Sequence, residues 1–166
     1  NAQFKTDFRA IMPTNLYGQN DNYDSLNSHV LAALIKKIVL AKKQNKKSFI
    51  VWGTGRPRRE FLHVDDLADA TVKIMNLSKK KYNKVAGEKF PFINVGSGSD
   101  ISVKDLAKLI SKIVEFKGKM IFDKSKPDGT FLKLMDNSKL RKIKWKPKIS
   151  LNSGIKKTIE DFKATI

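Results

Sequence analysis

The chain has 166 residues and a mass of 18.8 kDa, which suits one domain, or one complete domain with part of a second. Hydrophobic residues make up 40% of it, enough to build a core, so disorder throughout the chain is excluded. Cysteine is absent, which excludes disulfides, thiolate zinc sites and cysteine nucleophiles. No apolar run is long enough to span a bilayer and no signal peptide is evident, so we expect a cytoplasmic protein with no membrane partner. Because the chain begins at Asn1 rather than at methionine, we also expect a piece of a longer protein or a processed product.

The formal net charge of +18 raises the question of a nucleic-acid partner. Of the 34 basic residues, 29 are lysine and five are arginine, whereas bidentate recognition of bases and phosphates favours arginine. The lysines are spread over every segment, and no aromatic residues are interleaved with the basic runs. We therefore expect nonspecific attraction to polyanions and no specific nucleic-acid partner.

Strand-like and helix-like segments alternate in the first half of the chain. Phe8–Thr14 is typical of a short buried strand, which Pro13 ends because proline has no N–H to give to a ladder. A polar loop is predicted over Asn15–Asn27, and Ser28 is the candidate cap of a helix over His29–Lys43. Three further elements are predicted: strands at Phe49–Trp52 and Phe61–Val64, and a helix that Asp65 or Asp66 caps and that carries apolar residues from Leu67 to Leu77.

The second half continues the alternation after a break. Ser78–Lys89 is basic, polar and aperiodic, so no element is predicted there. Ser102 is the candidate cap of a helix over Val103–Glu115, whose apolar residues form one stripe. The other predicted elements are strands at Phe92–Val95 and Lys119–Phe122, a turn-rich loop over Asp123–Thr130, and helices over Ser138–Ile143 and from Ser150 to Phe162. The whole pattern predicts an α/β fold with some parallel strand pairing.

Two Gly-x-Gly elements, at 53–55 and 96–98, follow predicted strands. Neither completes a dinucleotide-binding fingerprint, because Arg58 and Ile101 stand where a third glycine or alanine would permit close helix packing. We interpret both elements as turns that need a positive φ.

The two histidines and a cluster of arginines are the candidates for chemistry. A lone histidine is more often structural than catalytic, so the residues alone leave the roles of His29 and His63 open. No histidine or carboxylate spacing suits a metal site, and no serine stands in a nucleophile elbow. Arg56, Arg58 and Arg59 fall within four positions and could bind a diphosphate, or could belong to an exposed loop.

Six segments, taken in order, form a narrower pattern. They are Met12–Gly18 (MPTNLYG), Asn27–Val30 (NSHV), Val51–Asp66 (VWGTGRPRREFLHVDD), Ile93–Gly98 (INVGSG), Ser125–Thr130 (SKPDGT) and Ser150–Leu151. Together they resemble the GDP-L-fucose synthase family over essentially the whole chain. The segment from Arg59 to Asp66 is shared with extended short-chain dehydrogenases in general, whereas PTNLYG with NSHV and SKPDGT is more specific.

The resemblance implies the C-terminal half of such an enzyme, with a substrate-binding domain and the last strands and helices of a Rossmann sheet. Residues 1–27 and 61–100 would be Rossmann elements, and residues 28–60 and 101–166 mainly the substrate-binding domain. The Gly-rich NADP loop, the Tyr-x-x-x-Lys pair and the catalytic cysteine would lie outside this chain, so the isolated chain is expected to be inactive. By the resemblance the complete enzyme would be a homodimer that makes GDP-L-fucose from GDP-4-keto-6-deoxy-D-mannose. It would epimerise C3 and C5 and reduce the C4 ketone with NADPH.

The family pattern assigns one catalytic residue in this chain. The C4 ketone acidifies the hydrogens on both neighbouring carbons, so a base can remove each and an acid can return a proton from the other face. By the resemblance His29 is that acid. The segment at the nicotinamide end of NADPH would be Pro13, Thr14, Asn15 and Leu16, with His29 beside it.

Four further residues fall on positions that hold the GDP-sugar in the family. These are Lys37, Trp52, Arg59 and Asp128. Arg59 would fork onto diphosphate oxygens, Trp52 would offer an indole N–H and an apolar face, and Asp128 would accept from a hydroxyl. No metal is implied.

Three departures from the family pattern bear on the substrate. Lys37 stands where arginine is common, which turns a two-pronged contact into a point charge. Phe131 and Leu132 replace the usual Pro-Arg, and Gln19 replaces a common proline. Two alternatives therefore stay open: another NDP-hexose epimerase or reductase of the same superfamily, and a non-catalytic module that binds nucleotide-sugars or polyanions.

Overall fold

The computed structural model describes residues 1, 3–24, 27–87, 89 and 91–166. The strands of this part of the chain are β1 Ala10–Pro13, β2 Asn15–Tyr17, β3 Ser48–Trp52, β4 Arg58–His63, β5 Phe92–Val95, β6 Asp100–Ser102, β7 Lys119–Asp123 and β8 Leu132–Lys133. The helices are α1 Val30–Lys43, α2 Val64–Met75, α3 Lys79–Ala86, α4 Val103–Val114, α5 Ser138–Lys142 and α6 Leu151–Ala164. The α/β class predicted from the sequence is confirmed.

The strands form small sheets, and most of the pairing is parallel, as predicted. β1 runs parallel to β5 with Ala10 opposite Phe92, and β3 runs parallel to β7 with Ser48 opposite Lys119. The third sheet is built around β4, which pairs in parallel with β2 and β8 and antiparallel with β6. β4 therefore connects three otherwise separate segments of the chain.

Two hydrophobic clusters form the core. The first joins α1, β3, α4 and α6 through buried side chains such as Ile35, Ile110 and Ile155. The second joins α2, α3, β5 and α5 through side chains such as Ile74 and Ile93. The domain boundaries expected from the sequence stay a prediction. None of the helices in the described ranges is both long and apolar enough to traverse a lipid bilayer.

The prediction of a buried strand over Phe8–Thr14 is wrong in extent and in burial. β1 begins only at Ala10, and Met12 is 51% exposed while Phe8 is also exposed. The physical reason is that β1 pairs with β5 along one edge only, so its apolar side chains have few neighbours within the described residues.

Two predicted helix caps are replaced by histidines. His29, not Ser28, is the N-cap of α1, and its side chain makes no capping hydrogen bond. His63, not Asp65 or Asp66, caps α2, because its Nδ1 accepts from the Asp65 N–H at 3.2 Å. A histidine nitrogen can satisfy a free helix N–H as a carboxylate does. The caps predicted at Ser102 and Ser150 are confirmed.

Several elements were not predicted. β2 lies in the predicted loop Asn15–Asn27, of which Ser25 and Leu26 fall outside the described residues. α3 lies in the predicted break Ser78–Lys89, in which Glu88 is likewise outside them. β6 and β8 are short strands whose pairing with β4 defines them, so local sequence gives little sign of them.

Candidate functional site

The first part of the site is a groove beside His29. It has a volume of about 510 Å³ and is lined by Pro13–Leu16, His29 and residues 133–135. The structure thus brings together all the residues that the resemblance implied for the nicotinamide end of the cofactor, although they come from two separate segments.

The wall formed by residues 13–16 is held by hydrogen bonds on its inner side. The Thr14 N–H donates to the carbonyl oxygen of Val95 at 3.0 Å. The Thr14 hydroxyl and the Asn15 amide both donate to the carbonyl oxygen of Glu60, at 3.2 and 2.7 Å. Because these side-chain donors are used within the fold, the wall offers the groove mainly Pro13, Leu16 and main-chain groups.

His29 lies at the start of α1 and is exposed to solvent. Its main-chain carbonyl accepts from the Ala33 N–H at 2.9 Å, which fixes the backbone while leaving the imidazole in the groove. The carboxyl of Asp21 belongs to the same loop. Burial raises the pKa of Asp21, and the Asn22 N–H and the charge of His29 oppose that rise. An accessible imidazole of this kind can give or take a proton.

The second part of the site is a groove of about 570 Å³ between α1 and β3, with Lys37 and Trp52 among its lining residues. The Lys37 ammonium lies 4.6 Å from the centroid of the Trp52 ring, and Lys126 lies 5.7 Å from it. Burial lowers the pKa of Lys37. Trp52 is 53% exposed, so one aromatic surface carries two cations and still faces solvent.

Asp128 lies next to this groove because it is tied to the turn that follows Trp52. Its carboxylate accepts from the Thr54 N–H at 2.8 Å and from the Thr54 hydroxyl at 2.6 Å, and these bonds lower the Asp128 pKa. Gly53 has a φ of +76°, and a Cβ at this position would overlap the Asp128 carboxylate. The glycine thus allows the close approach, and the interpretation of Gly53–Gly55 as a positive-φ turn is confirmed.

Arg59 lies on β4 rather than in an exposed loop, so the loop interpretation is wrong for Arg58 and Arg59. Its guanidinium donates to the carbonyl oxygen of Thr130 at 2.6 Å and to that of Arg58 at 2.8 Å. Arg58 forms an ion pair with Asp100. Arg58 also bonds the segment carrying Asp128, through its main-chain N–H to the carbonyl oxygen of Phe131 at 2.7 Å, and the charge of Arg56 helps to lower the Asp128 pKa. Arg59 differs in that its guanidinium donates to the segment, at Thr130.

Residues 128–135 connect the two grooves. At one end Asp128 is bound to Thr54, beside Trp52. In the middle, β8 pairs with β4 so that Lys133 lies opposite Arg59. At the other end, residues 133–135 line the groove that contains His29. A ligand that bound along this segment would reach from the Trp52 surface to the imidazole.

Sequence reasoning missed Glu60, the most buried acid near the site. Its side chain is 0% exposed and accepts from the N–H groups of Gly98 and Met135. The residue stood within a segment quoted for the resemblance, but nothing in its local pattern distinguished it from a solvated glutamate. The other histidine, His63, is buried and caps α2, which is a structural role.

The fold is of the α/β class, and comparison with known proteins identifies the family of the chain. The model of the NAD dependent epimerase/dehydratase family matches residues 1–96. The chain belongs to that family.

Within the family the chain is similar to GDP-L-fucose synthases. It is 44% identical over 162 residues to the GDP-L-fucose synthase of Escherichia coli K12, covering 98% of this chain and 50% of that protein. It is 51% identical over 158 residues to the putative GDP-L-fucose synthase 2 of Arabidopsis thaliana, covering 95% and 45%. Among solved structures, the GDP-mannoheptose C4 reductase MlghC of Campylobacter jejuni with NADP bound has a TM-score of 0.84 and 39% identity, covering 98% and 52%. The chain therefore spans about half the length of the relatives it matches.

Proposed function

We propose that this chain is part of an NADPH-dependent enzyme that converts GDP-4-keto-6-deoxy-D-mannose to GDP-L-fucose, and that it supplies the sugar-nucleotide pocket and the acid His29. The observation that carries the proposal is the pair of grooves joined by residues 128–135, with cations and Trp52 in one and His29 in the other. The similarity to GDP-L-fucose synthases supports the same substrate class.

The groove that contains Lys37 and Trp52, together with the neighbouring Arg59 and Asp128, suits a nucleoside diphosphate. Arg59 presents a planar fork for diphosphate oxygens, and Lys37 adds a point charge whose lowered pKa reflects partial burial. The Trp52 face offers an apolar surface. Asp128 keeps acceptor capacity beyond its two bonds to Thr54, because a carboxylate has about four lone-pair sites.

His29 performs the proton step of the proposed epimerisation. A base that the rest of the enzyme supplies removes a proton from C3 or C5 and leaves an enolate that the C4 ketone stabilises. His29 then returns a proton to the opposite face of that carbon. Exposure of the imidazole to the groove allows it to exchange its proton with solvent between turnovers.

The groove also fits a nicotinamide ring, because its volume of about 510 Å³ accommodates a planar ring beside Pro13 and Leu16. NADPH, when bound, supplies the hydride that reduces the C4 ketone. The sequence contains no complete Gly-rich dinucleotide fingerprint, so we infer that the rest of the cofactor is held by the part of the enzyme that this chain does not span. A GDP-sugar partner, a homodimeric enzyme and a cytoplasmic location belong to the same proposal.

A second candidate function is a GDP-sugar reductase that acts on another hexose or heptose. MlghC is a GDP-mannoheptose C4 reductase, and it is 39% identical to this chain. Of the three departures from the fucose synthase pattern, Lys37 lines the Trp52 groove, whereas Phe131 and Leu132 are exposed on the segment that joins the two grooves. Competition between GDP-fucose and GDP-mannoheptose for this chain would separate the two functions.

The proposed pocket can be tested by calorimetric titration of the chain with GDP at about 0.15 M salt, where a surface of +18 attracts anions less strongly. Arg59→Ala should weaken GDP binding by about 1.5 to 3 kcal/mol, the usual contribution of a hydrogen bond to a charged group. Arg141→Ala is the matched control, because it removes one exposed positive charge on α5. An equal loss in both variants would indicate nonspecific attraction and would contradict the pocket.

A further inference from the structure

Glu60 is a carboxylate with 0% exposure at the centre of β4. Its two oxygens serve different partners. Oε1 accepts from the Gly98 N–H at 2.6 Å and from the Asn137 amide at 3.4 Å, and Oε2 accepts from the Met135 N–H at 2.9 Å. A Cβ at Gly96 would overlap this carboxylate, so the neighbouring strand end leaves just enough room for it.

Glu60 is hydrogen-bonded to both walls of the His29 groove. Its main-chain carbonyl accepts from the Thr14 hydroxyl and the Asn15 amide, which belong to the wall at residues 13–16. Its carboxylate accepts from Met135, which belongs to the wall at residues 133–135. Both walls of one groove are therefore attached to a single residue.

The attachment at Met135 matters because the rest of its wall is weakly held. β8 is two residues long, and residues 131–134 are exposed. Such a segment has few buried contacts to fix its position, so a hydrogen bond to a buried carboxylate contributes a large share.

We propose that Glu60 is a positioning residue that sets the separation of the two walls of the His29 groove. The role of the groove as the nicotinamide site rests on the proposed function, whereas the attachment of the walls does not. A carboxylate is needed because N–H groups approach both of its oxygens. A glutamine of the same size offers one acceptor and one NH₂ group, so it cannot accept from Gly98 and Met135 together.

Asp66 provides a matched control. It is 2% exposed, and its carboxylate also accepts two main-chain N–H groups, those of Lys148 and Ile149, each at 3.0 Å. It joins α2 to the segment before α6 and does not line the His29 groove. Glu60→Gln and Asp66→Asn therefore remove equivalent contacts in two different places.

The first readout is amide hydrogen exchange of the whole chain, followed by NMR. Glu60→Gln should speed exchange at Met135 or Gly98 by about tenfold, since a buried N–H loses its acceptor. Because the single remaining oxygen can face either N–H, an increase at Gly98 alone leaves the test at Met135 to Glu60→Asp, which is too short to reach both groups. Asp66→Asn should speed exchange at Lys148 or Ile149, by the same loss of one acceptor, and leave Met135 unchanged. An unchanged Met135 rate in both Glu60→Gln and Glu60→Asp would overturn the proposal.

The second readout is titration with nicotinamide mononucleotide, followed by the amide shifts of Asn15, Leu16 and Met135. Glu60→Gln should weaken binding by about fivefold or more, and Asp66→Asn by less than about twofold. Equal weakening in both variants, or release of Met135 with unchanged affinity, would overturn the positioning role. Failure of the unmodified chain to bind this probe would instead contradict the proposed nicotinamide site, and the exchange rates alone would then decide whether Glu60 holds the wall.

Should Glu60→Gln fail to fold, Glu60→Asp takes its place. It retains the charge and both acceptors but is one methylene shorter, so it cannot reach both Gly98 and Met135. Faster exchange at Met135 together with weaker binding would support the proposal, and values equal to those of the unmodified chain would overturn it.

Discussion

Replacement of Gly154 by alanine is expected to destabilise this fold, although alanine ordinarily favours a helix interior. Gly154 lies in α6, and a Cβ there would overlap the Tyr17 hydroxyl and lie 2.9 Å from two atoms of its ring. Tyr17 is 2% exposed, and its ring meets those of Phe61 and His63 edge to face, with centroids 6.4 and 5.4 Å away. Because Tyr17 is enclosed, it cannot move aside without disturbing these rings.

The size of the effect follows from two opposing contributions. The exchange of glycine for alanine within a helix favours folding by about 1 kcal/mol. Insertion of a methyl group into a well-packed core costs about 1 to 3 kcal/mol, and the upper part of that range applies because the new atom meets both the hydroxyl and the ring. The net loss is about 2 kcal/mol, which lowers the Tm by about 4 to 8 °C in a domain of this size.

Thermal unfolding followed by circular dichroism measures this change. Tyr17→Phe removes the hydroxyl that the new methyl group overlaps, so the double variant with Gly154→Ala should regain about half of the lost stability. Lys157→Ala, at an exposed position of the same helix, should change stability by less than about 0.5 kcal/mol. A Gly154→Ala protein as stable as the original, or more so, would refute the close packing of Tyr17 against α6.

Three further outcomes are expected. The pKa of Asp128, measured by carbon-13 NMR, should lie below its ordinary value near 3.8, and in Thr54→Val it should rise toward that value. Since the Asp128 pKa is lowered in the folded state, its contact with Thr54 stabilises the fold above the ordinary pKa, and this stabilisation is lost as the pH falls through the lowered pKa. Equal Asp128 pKa values in the two proteins would contradict the contact. Raising the salt from about 0.02 to about 0.5 M should increase self-association through the open edge of β1, because it screens the repulsion of a +18 surface. A monodisperse monomer at both concentrations by light scattering would show that this edge is covered. The isolated chain should not oxidise NADPH with the 4-keto sugar, and measurable absorbance loss at 340 nm would contradict the roles assigned to groups outside the chain.

Elements with a clear local signal could be predicted, and those set by distant partners could not. Ser102 caps α4 as expected, since its hydroxyl accepts from the Asp105 N–H and donates to the Asp105 carboxylate. α3 was not predicted because lysines make the segment polar overall. Its three buried residues, Tyr82, Val85 and Ala86, nevertheless follow the helical spacing of three and four. Strand β8 exists because β4 lies beside it, and no local pattern of two residues could indicate that.

The same division applies to the site. The resemblance grouped His29 with residues 13–16, and the structure places them around one groove, while their catalytic and cofactor roles stay predictions. Glu60 was missed because its carboxylate partners lie 38 to 77 residues away in the sequence. A glutamate in a polar stretch is usually solvated, and only the tertiary fold removes it from water.

Strand β4 also determines how the molecule unfolds. Adjacent residues of a strand point to opposite faces, and here Phe61 packs into the first hydrophobic cluster while Leu62 packs into the second. If either cluster unfolds, β4 loses the packing of one face, and the other cluster then loses the strand on which it packs. The two clusters are therefore expected to lose structure in one cooperative transition, with equal calorimetric and van't Hoff enthalpies, rather than as two independently stable units.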